Sequence, residues 1–216
     1  GEYGRLARLS EGMCDTKVER GDKTAWKASL LTPTKVPNMP PATYVGCGLY
    51  CSFAVCGGEV YAAGVNNYGQ LGIEEDGPFY SMTKVKSLSN KGVASIGGGE
   101  HHTLFLTASG QVLSCGRATY GRLGRTGVDC ASDNKYSTPL PVLGTGTSPV
   151  KLVVGGLSVS SCVCSDGSCY VWGSGGEGLL GKGDDERDEH CPIKLQGSFA
   201  AQGGVKMISI GGQHLA

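Results

Sequence analysis

A five-residue phrase, Tyr-Gly-x-Leu-Gly, recurs along this chain of 216 residues and constrains its fold more than any other feature. It reads YGQLG at 68–72 and YGRLG at 120–124, with looser copies at 2–7 (EYGRLA) and 176–181 (GEGLLG). Successive copies lie 65, 52 and 57 residues apart. Such a period is typical of a repeat protein, in which each unit buries an apolar face against the next unit.

Two further phrases accompany the first and support the same interpretation. One is bounded by two glycines six residues apart, and the other begins with glycine and carries His, Cys or Val three residues later. The first of these phrases occupies 58–64, 110–116 and 167–173. The second occupies 48–52, 99–103, 156–160 and 211–214. Three phrases in a fixed order predict repeat units at approximately 1–58, 59–110, 111–167 and 168–216, with a loop insertion at 8–31.

The copy with the clearest pattern predicts four short strands, at about 104–107, 111–115, 139–143 and 150–154. A tight Ala-Ser-Gly-Gln turn joins the first two, which is a hairpin signal. Four strands per unit with glycine at the corners predict an all-β fold, a β-propeller of four-stranded antiparallel blades, of which about four repeats are visible. The residues predicted to build this framework are Tyr3, Gly4, Tyr68, Gly69, Leu71, Gly72, Tyr120, Gly121, Leu123, Gly124, Gly64, Gly116, Gly173, His102, His214 and Trp172.

The composition argues against several functional classes. Lys+Arg and Asp+Glu both number 19, so no global field draws the protein to nucleic acid or to an anionic membrane. No apolar stretch approaches the ~20 residues of a membrane span, so we predict no membrane insertion. Because the chain lacks an initiator Met and starts inside a repeat phrase, we expect a fragment of a longer protein.

Ten cysteines are present, yet no two of them form a C-x-x-C pair. Cys162 and Cys164 share one face of a predicted strand and could begin a metal site, but small buried hydrophobes in a reducing compartment are the preferred interpretation, and disulfides stay open. No G-x-S-x-G, H-E-x-x-H or phosphate-loop pattern occurs. We therefore predict no catalytic residue, no metal and no cofactor.

The linked phrases carry a family resemblance. Residues 68–72, 99–106 and 166–173 resemble the regulator of chromosome condensation repeat family. The resemblance implies a β-propeller that is usually seven-bladed, so the chain is expected to continue into further blades or to be closed by a partner. It also implies either a guanine nucleotide exchange factor for a Ran-type small GTPase or a propeller that only holds proteins together.

Some framework positions could in principle do more than build blades. His102 and His214 occupy equivalent positions at which the other copies carry Cys51 and Val159, and this alternation favours a packed, hydrogen-bonded slot over a catalytic or metal-binding role. For the repeated tyrosines we expect ring packing with the hydroxyl bonded to the backbone. Stacking on nucleic-acid bases is the alternative.

The connections that follow each Tyr-Gly phrase vary most, and we expect 8–31, 73–81, 125–138 and 182–190 to emerge on one face. Trp26 in the first could anchor a partner or pack as a lid over its own blade. The acidic run in the last could meet a basic partner or form a solvated turn. The partner-binding candidates are Trp26, the acidic segment Asp184, Asp185, Glu186 and Arg187, and a basic rim of Arg5, Arg8, Arg122 and Arg125.

These observations predict a non-enzymatic, protein-binding scaffold that docks partners through variable loops on one face; the alternative is the exchange factor. The partner is a protein of unknown identity, possibly a small GTPase, and direct nucleic-acid binding is not expected from four arginines in a neutral chain. We expect an intracellular location, cytoplasmic or nuclear, with cytoskeletal association left open.

Overall fold

The computed structural model describes residues 4–7, 35–197, 203–211 and 214–216. Tyr3, Arg8, Trp26 and the predicted insertion 8–31 therefore lie outside the described residues. Short single turns of 3₁₀ helix occur at Lys86–Leu88, Thr119–Gly121 and Gly176–Gly178. The strands are β1 (Tyr44–Cys47), β2 (Cys51–Cys56), β3 (Glu59–Val65), β4 (Pro78–Lys84), β5 (Val93–Gly98), β6 (His102–Thr107), β7 (Val112–Arg117), β8 (Lys135–Pro141), β9 (Val150–Gly155), β10 (Val159–Cys164), β11 (Cys169–Gly173) and β12 (Glu189–Lys194).

The strands form three antiparallel sheets, each with four strands in the order of the chain. Sheet 1 contains β1 to β4, sheet 2 contains β5 to β8 and sheet 3 contains β9 to β12. A bridge between Ile210 and Leu215 follows sheet 3. This architecture confirms the predicted all-β fold of four-stranded antiparallel blades; the seven-bladed ring stays a prediction.

The predicted strands exist, but one of them belongs to a different sheet. The strands predicted at 104–107, 111–115 and 139–143 correspond to β6, β7 and β8 of sheet 2. The strand predicted at 150–154 is β9, which opens sheet 3, and the first strand of sheet 2 is instead β5. The periodicity of a repeat does not show where a sheet starts. The boundaries of the predicted units consequently fall in the turn between the second and third strands of each sheet.

Sheet 2 buries both of its faces, because it lies between sheets 1 and 3. Successive side chains of β6 point to opposite sides, so Leu104 and Leu106 join the core between sheets 2 and 3, whereas Phe105 joins the core between sheets 1 and 2. Phe105 meets Phe53 of sheet 1 edge to face, with ring centroids 5.8 Å apart. Burial on both sides explains why this strand reads as the continuous apolar run TLFLT rather than as an alternating pattern.

The first strands β1, β5 and β9 lie side by side around a common axis. Backbone bonds join the turns at their ends: Leu49 N–H donates to Gly99 O at 3.0 Å, and Glu100 N–H donates to Gly156 O at 3.2 Å. A β-carbon added to Gly98 would lie 2.6 Å from Gly48 N. The glycine-rich sequence of these strands therefore permits the close backbone approach at the axis.

A glycine stands at a bulge in the third strand of every sheet. Gly64, Gly116 and Gly173 have φ of 116°, 115° and 111°, and the register with the outer strand shifts beside each of them. A β-carbon on Gly116 would lie 2.4 Å from His101 O. Both the backbone angle and the lack of space exclude other residues, which accounts for the fixed spacing of these glycines in the sequence.

The fourth strands β4, β8 and β12 form the outer edges, and each contains proline. Pro78, Pro192 and the pair Pro139 and Pro141 lie in these strands, which pair on one side only. Proline removes a backbone donor where no partner strand would use it, and it discourages pairing with another chain.

The thiols in the described part of the chain are free, and most of them are buried. Burial raises the pKa of Cys51 to about 12 and also raises the pKa of Cys115 and Cys162. Cys162 and Cys164 both lie in the core between sheets 2 and 3. Within the same described ranges, no three His, Cys, Asp or Glu residues form a group that could hold a metal ion, and no helix is long and apolar enough to cross a membrane.

Candidate functional site: the loop end of the sheets

All the variable connections within the described residues leave from one end of the sheets. The connections between third and fourth strands, 66–77, 118–134 and 174–188, emerge there together with the turns that join the first two strands of each sheet. We call this the loop end. The turns between second and third strands, and the links from one sheet to the next, lie at the opposite end.

The Tyr-Gly phrase forms a corner at the loop end that rests on the outer strand of the next sheet. A β-carbon on Gly69, after β3, would lie 2.5 Å from Ser137 Cα in β8, and one on Gly121, after β7, would lie 2.5 Å from His190 Cα in β12. Gly4 meets Phe79 of β4 in the same way. The repeated phrase thus joins neighbouring sheets.

A hydroxyl group fixes each corner to the next sheet. The donors are Ser52, Thr103 and Ser160 at equivalent positions of the second strands, and the acceptors are the backbone carbonyls of Arg5, Gln70 and Arg122, at 2.7, 2.7 and 2.8 Å. None of these hydroxyl residues is predicted from the sequence to have a role. The available signal was a Ser or Thr in the same place of all three phrases.

We call each contact between a corner and the next sheet a joint. Arginine side chains reinforce two of the three joints. Arg5 Nη1 donates to Leu49 O at 3.1 Å, and the equivalent Arg122 Nη1 donates to Leu157 O at 3.2 Å. Arg122 is only 1 % exposed, and its burial lowers the pKa of the guanidinium to about 10, so it stays charged at neutral pH. Hydrogen bonds to backbone carbonyls at the joint therefore stabilise the buried, charged guanidinium of Arg122.

The predicted basic rim requires correction at two positions. Arg122 and Arg125 are buried, whereas a rim that contacts a partner needs exposed side chains. Arg125 Nη1 donates to Thr138 O at 3.4 Å, and its guanidinium lies over the ring of Tyr136. The sequence shows where these charges are, but it does not show the carbonyls that accept their hydrogen bonds, beside sheet 3 for Arg122 and within sheet 2 for Arg125.

His102 occupies a buried slot between sheets 2 and 3. Its Nε2 lies 2.7 Å from Ser160 Oγ, and Ser160 in turn donates to Arg122 O. Trp172 Nε1 donates to the same carbonyl at 3.0 Å. Burial lowers the pKa of His102 well below its usual value of 6.5, with Arg122 acting in the same direction. The equivalent His214 is exposed.

The lowered pKa of buried His102 predicts that the protein loses stability at mildly acidic pH. We expect the free energy of unfolding to fall by about 1 kcal/mol between pH 6.5 and 5.5. The unfolded His102 binds a proton near pH 6.5 and the folded residue does not, so its contribution is complete above pH 6.5 and is lost as the pH falls toward the lower folded-state pKa. Urea unfolding at several pH values measures this, with the His102→Cys variant as control. Equal pH dependence of both chains would contradict the assignment.

Aromatic and charged side chains cover the loop end between sheets 1 and 2. The His101 ring stacks on Tyr50 with centroids 5.4 Å apart and lies 4.9 Å from the ring of Tyr68. Arg117 sits 5.1 Å above Tyr68 and pairs with Asp133. His101 and His102 thus point into different environments.

The repeated tyrosines differ from expectation in their polar contacts. Tyr68 is half-buried and Tyr120 is exposed, with Arg122 5.3 Å from the Tyr120 ring centroid. Within the described ranges, neither hydroxyl makes the expected hydrogen bond to the backbone. Tyr120 also has φ of 63°, a left-handed angle that side chains rarely adopt.

The acidic segment in the third connection is a structured turn. Asp185 accepts from Arg187, and Lys182 Nζ donates to Glu189 at 2.7 Å and to Arg187 O at 2.6 Å. These contacts hold part of the segment against its own sheet. Asp184 and Glu186 remain exposed at the surface.

The two ends of the sheets carry opposite net charge. Between residues 44 and 211, the loop end holds twelve carboxylates and six basic side chains, whereas the opposite end holds six lysines and two carboxylates. The loop-end carboxylates are Glu74, Glu75, Asp76, Glu100, Asp129, Asp133, Glu177, Asp184, Asp185, Glu186, Asp188 and Glu189, and the lysines are Lys84, Lys86, Lys91, Lys151, Lys194 and Lys206. Between residues 44 and 211, the loop end is thus net acidic and the opposite end is net basic.

Sheets stacked around an axis, with corners that join each sheet to the next, define a β-propeller of the repeat type. The chain belongs to the Regulator of chromosome condensation (RCC1) repeat family, whose profiles match residues 57–106, 93–122 and 166–216.

Relatives agree with this assignment, and a solved structure shares the fold. The Regulator of chromosome condensation of Xenopus laevis is 34% identical over 99% of this chain and 50% of its own length. The guanine nucleotide exchange factor SRM1 of Saccharomyces cerevisiae is 29% identical (79% of this chain, 38% of SRM1), and the human probable E3 ubiquitin-protein ligase HERC3 is 33% identical (82% and 17%). The crystal structure of Prp20p from Saccharomyces cerevisiae superposes with a TM-score of 0.78, at 23% identity over 99% of this chain and 48% of Prp20p. The chain thus spans half or less of the length of these relatives.

Proposed function

We propose that this chain forms part of a propeller that binds a Ran-type small GTPase and promotes release of its bound guanine nucleotide. The observation that carries the proposal is the alignment of nearly the whole chain with a Regulator of chromosome condensation, and of 79% of it with a relative named as a guanine nucleotide exchange factor. The sequence alone favours the scaffold. Exchange is regulation without covalent chemistry, so it needs a shaped surface rather than catalytic side chains.

The loop end is the docking surface in this proposal. Its connections differ in length and sequence between sheets, whereas the joints beneath them repeat. Two of these connections, 66–77 and 118–134, lie on a stiff support, because their corners are each fixed by a seated glycine and a hydroxyl–carbonyl bond. Its excess of carboxylates suits a GTPase surface rich in lysine and arginine, and such complementarity raises the rate of association.

Nucleotide release tests the proposal. The full-length protein that contains this chain should accelerate release of a fluorescent GDP analogue from a Ran-type GTPase. Replacing the exposed pair Asp184 and Glu186 with lysine should lower kcat/KM about tenfold at low salt, because two attractive charges become repulsive. The matched control replaces Lys86 and Lys91 at the opposite end with glutamate and should leave the rate unchanged. Failure to accelerate release would overturn the exchange function, and equal effects of both pairs would overturn the docking surface.

A scaffold is the second candidate. It is supported by the match to HERC3, in which the aligned part is only 17% of a protein named for another activity. The partner would then be a protein held at the loop end without nucleotide release. Deleting part of 182–188 and measuring pull-down of partners from an intracellular extract tests this candidate, since binding without exchange favours the scaffold.

A further inference from the structure

A recess opens at the loop end, where the first strands of the three sheets finish beside the common axis. It has a volume of about 260 Å³. Pockets that enclose a drug-sized ligand usually measure ~300–1,000 Å³, so this one is sized for a single side chain. We call it the axial recess, and it is lined by residues 49, 98–100, 155–157, 210 and 211.

Three side chains at equivalent positions of successive sheets line the axial recess. Leu49, Glu100 and Leu157 each follow a glycine in the turn between the first and second strands. Leu49 is 45 % exposed and Leu157 is 38 % exposed. Most of the other lining residues are glycines, whose lack of a side chain leaves the space open and lets a ligand approach the backbone closely. The recess is thus mainly apolar.

The turns that carry these side chains are tied to one another. Leu49 N–H donates to Gly99 O at 3.0 Å, and Glu100 N–H donates to Gly156 O at 3.2 Å. Leu157 O accepts from Arg122 Nη1 at 3.2 Å. Because these bonds already fix the walls, a ligand in the recess need not order them first, which lowers the cost of binding.

Glu100 is the only charged residue among the described residues that line the axial recess. Its side chain is 29 % exposed, and its carboxylate lies 3.7 Å from His101 Nε2, which is too long for a hydrogen bond. Burial lowers the pKa of His101, so this imidazole is neutral at neutral pH and does not balance the carboxylate. Glu100 therefore has acceptor capacity for a cationic group that enters the recess.

We propose that the axial recess binds one lysine or arginine side chain of the partner protein, with its aliphatic stem on Leu49 and Leu157 and its cationic head on Glu100. Lysine and arginine commonly bury their stems along apolar surface while the charged head stays at the polar edge. The net negative charge of the loop end attracts the same side chain. Only the identity of the partner rests on the proposed function, in which the side chain belongs to the GTPase.

A lysine side-chain analogue tests the axial recess without any GTPase. The leucine methyl groups of the full-length protein are labelled for NMR, and n-butylammonium is titrated, with n-butanol as an uncharged probe of similar length. We expect the Leu49 and Leu157 methyl signals to shift with a Kd on the order of 1 mM, as suits a ligand of five heavy atoms. Glu100→Gln should weaken this binding about tenfold, because a charge-assisted hydrogen bond is lost.

The two probes also define the results that would overturn the proposal. Equal shifts with n-butanol would show that the recess does not recognise a cation. With n-butylammonium, the absence of shifts at Leu49 and Leu157, or an unchanged Kd in Glu100→Gln, would exclude the assigned contacts.

Nucleotide release then shows whether a GTPase side chain occupies the axial recess. Leu49→Lys places a cation at the recess from within the chain, and it should lower kcat/KM for release about tenfold, because it repels and displaces the incoming side chain. The matched control is Leu143→Lys, since Leu143 is 47 % exposed at the opposite end, and it should leave the rate unchanged.

The two experiments separate this inference from the proposed function. If the wild-type protein does not accelerate release, the exchange function fails, whereas selective binding of n-butylammonium still supports the recess as a site for a basic side chain. If the wild-type protein is active and Leu49→Lys releases nucleotide at the wild-type rate, the exchange function stands and the GTPase is overturned as the occupant of the recess.

Discussion

Gly121→Ala should lower the free energy of unfolding by about 3 kcal/mol or more, although it adds only a single carbon atom. The new β-carbon would lie 2.5 Å from His190 Cα and 2.7 Å from Glu189 O, so the corner of sheet 2 could not stay seated on β12. Backbone atoms cannot rotate away as a flexible side chain can. Urea unfolding followed by circular dichroism measures the change.

A matched glycine separates this clash from backbone strain. Gly178 is the equivalent corner residue of sheet 3, its φ of 68° is close to the 79° of Gly121, and a β-carbon there would meet nothing within 4 Å. Gly178→Ala should therefore cost only the left-handed strain of about 1–2 kcal/mol. Equal losses for the two variants would show that the contact between the sheets contributes nothing.

Trp172→Ala should lower the free energy of unfolding by about 3–5 kcal/mol. The side chain is fully buried in the core between sheets 2 and 3, and its removal would leave a cavity against Leu104, Leu106 and Cys162. It would also remove the hydrogen bond from Nε1 to Arg122 O. Urea unfolding by circular dichroism is again the measurement, since the substitution removes one of the two tryptophans whose fluorescence would report unfolding.

Trp172→Phe separates the two contributions. It keeps an aromatic ring in the core and removes the indole N–H, while Ser160 still donates to Arg122 O. We expect a loss of about 1–2 kcal/mol, because part of the packing and one hydrogen bond disappear. A loss as large as that of the alanine variant would mean that the hydrogen bond, and not the packing, dominates at this joint.

The fold could be predicted because its signals are local. The bulge at Gly116 needs a positive φ, and the turn at Gly110 joins two strands, so the six-residue spacing between these glycines is a direct record of backbone geometry. No comparable pattern in the sequence indicates that β9 belongs to sheet 3. A periodic sequence reads the same from any starting strand, and only the hydrogen bonds between strands show where each sheet begins.

The candidate site was harder to predict because it depends on contacts between sheets. Arg122 was interpreted as an exposed charge, since nothing near it in the sequence shows the carbonyl of Leu157, 35 residues away, that accepts its hydrogen bond. The role of Ser160 was missed for the same reason. The acidic 184–187 segment was recognised by composition alone, but the internal pairs of Lys182 that order the turn required the structure.

The corners reach in one direction only, from each sheet to the one that follows it in the chain. Sheets 1 and 2 therefore each carry both halves of a coupling, a hydroxyl donor that holds the preceding corner and a glycine that is seated on the following sheet. Duplication or loss of a whole unit leaves every remaining coupling intact. The number of units in such a protein is consequently free to change during evolution, limited by the angle between neighbours and not by the chemistry that joins them.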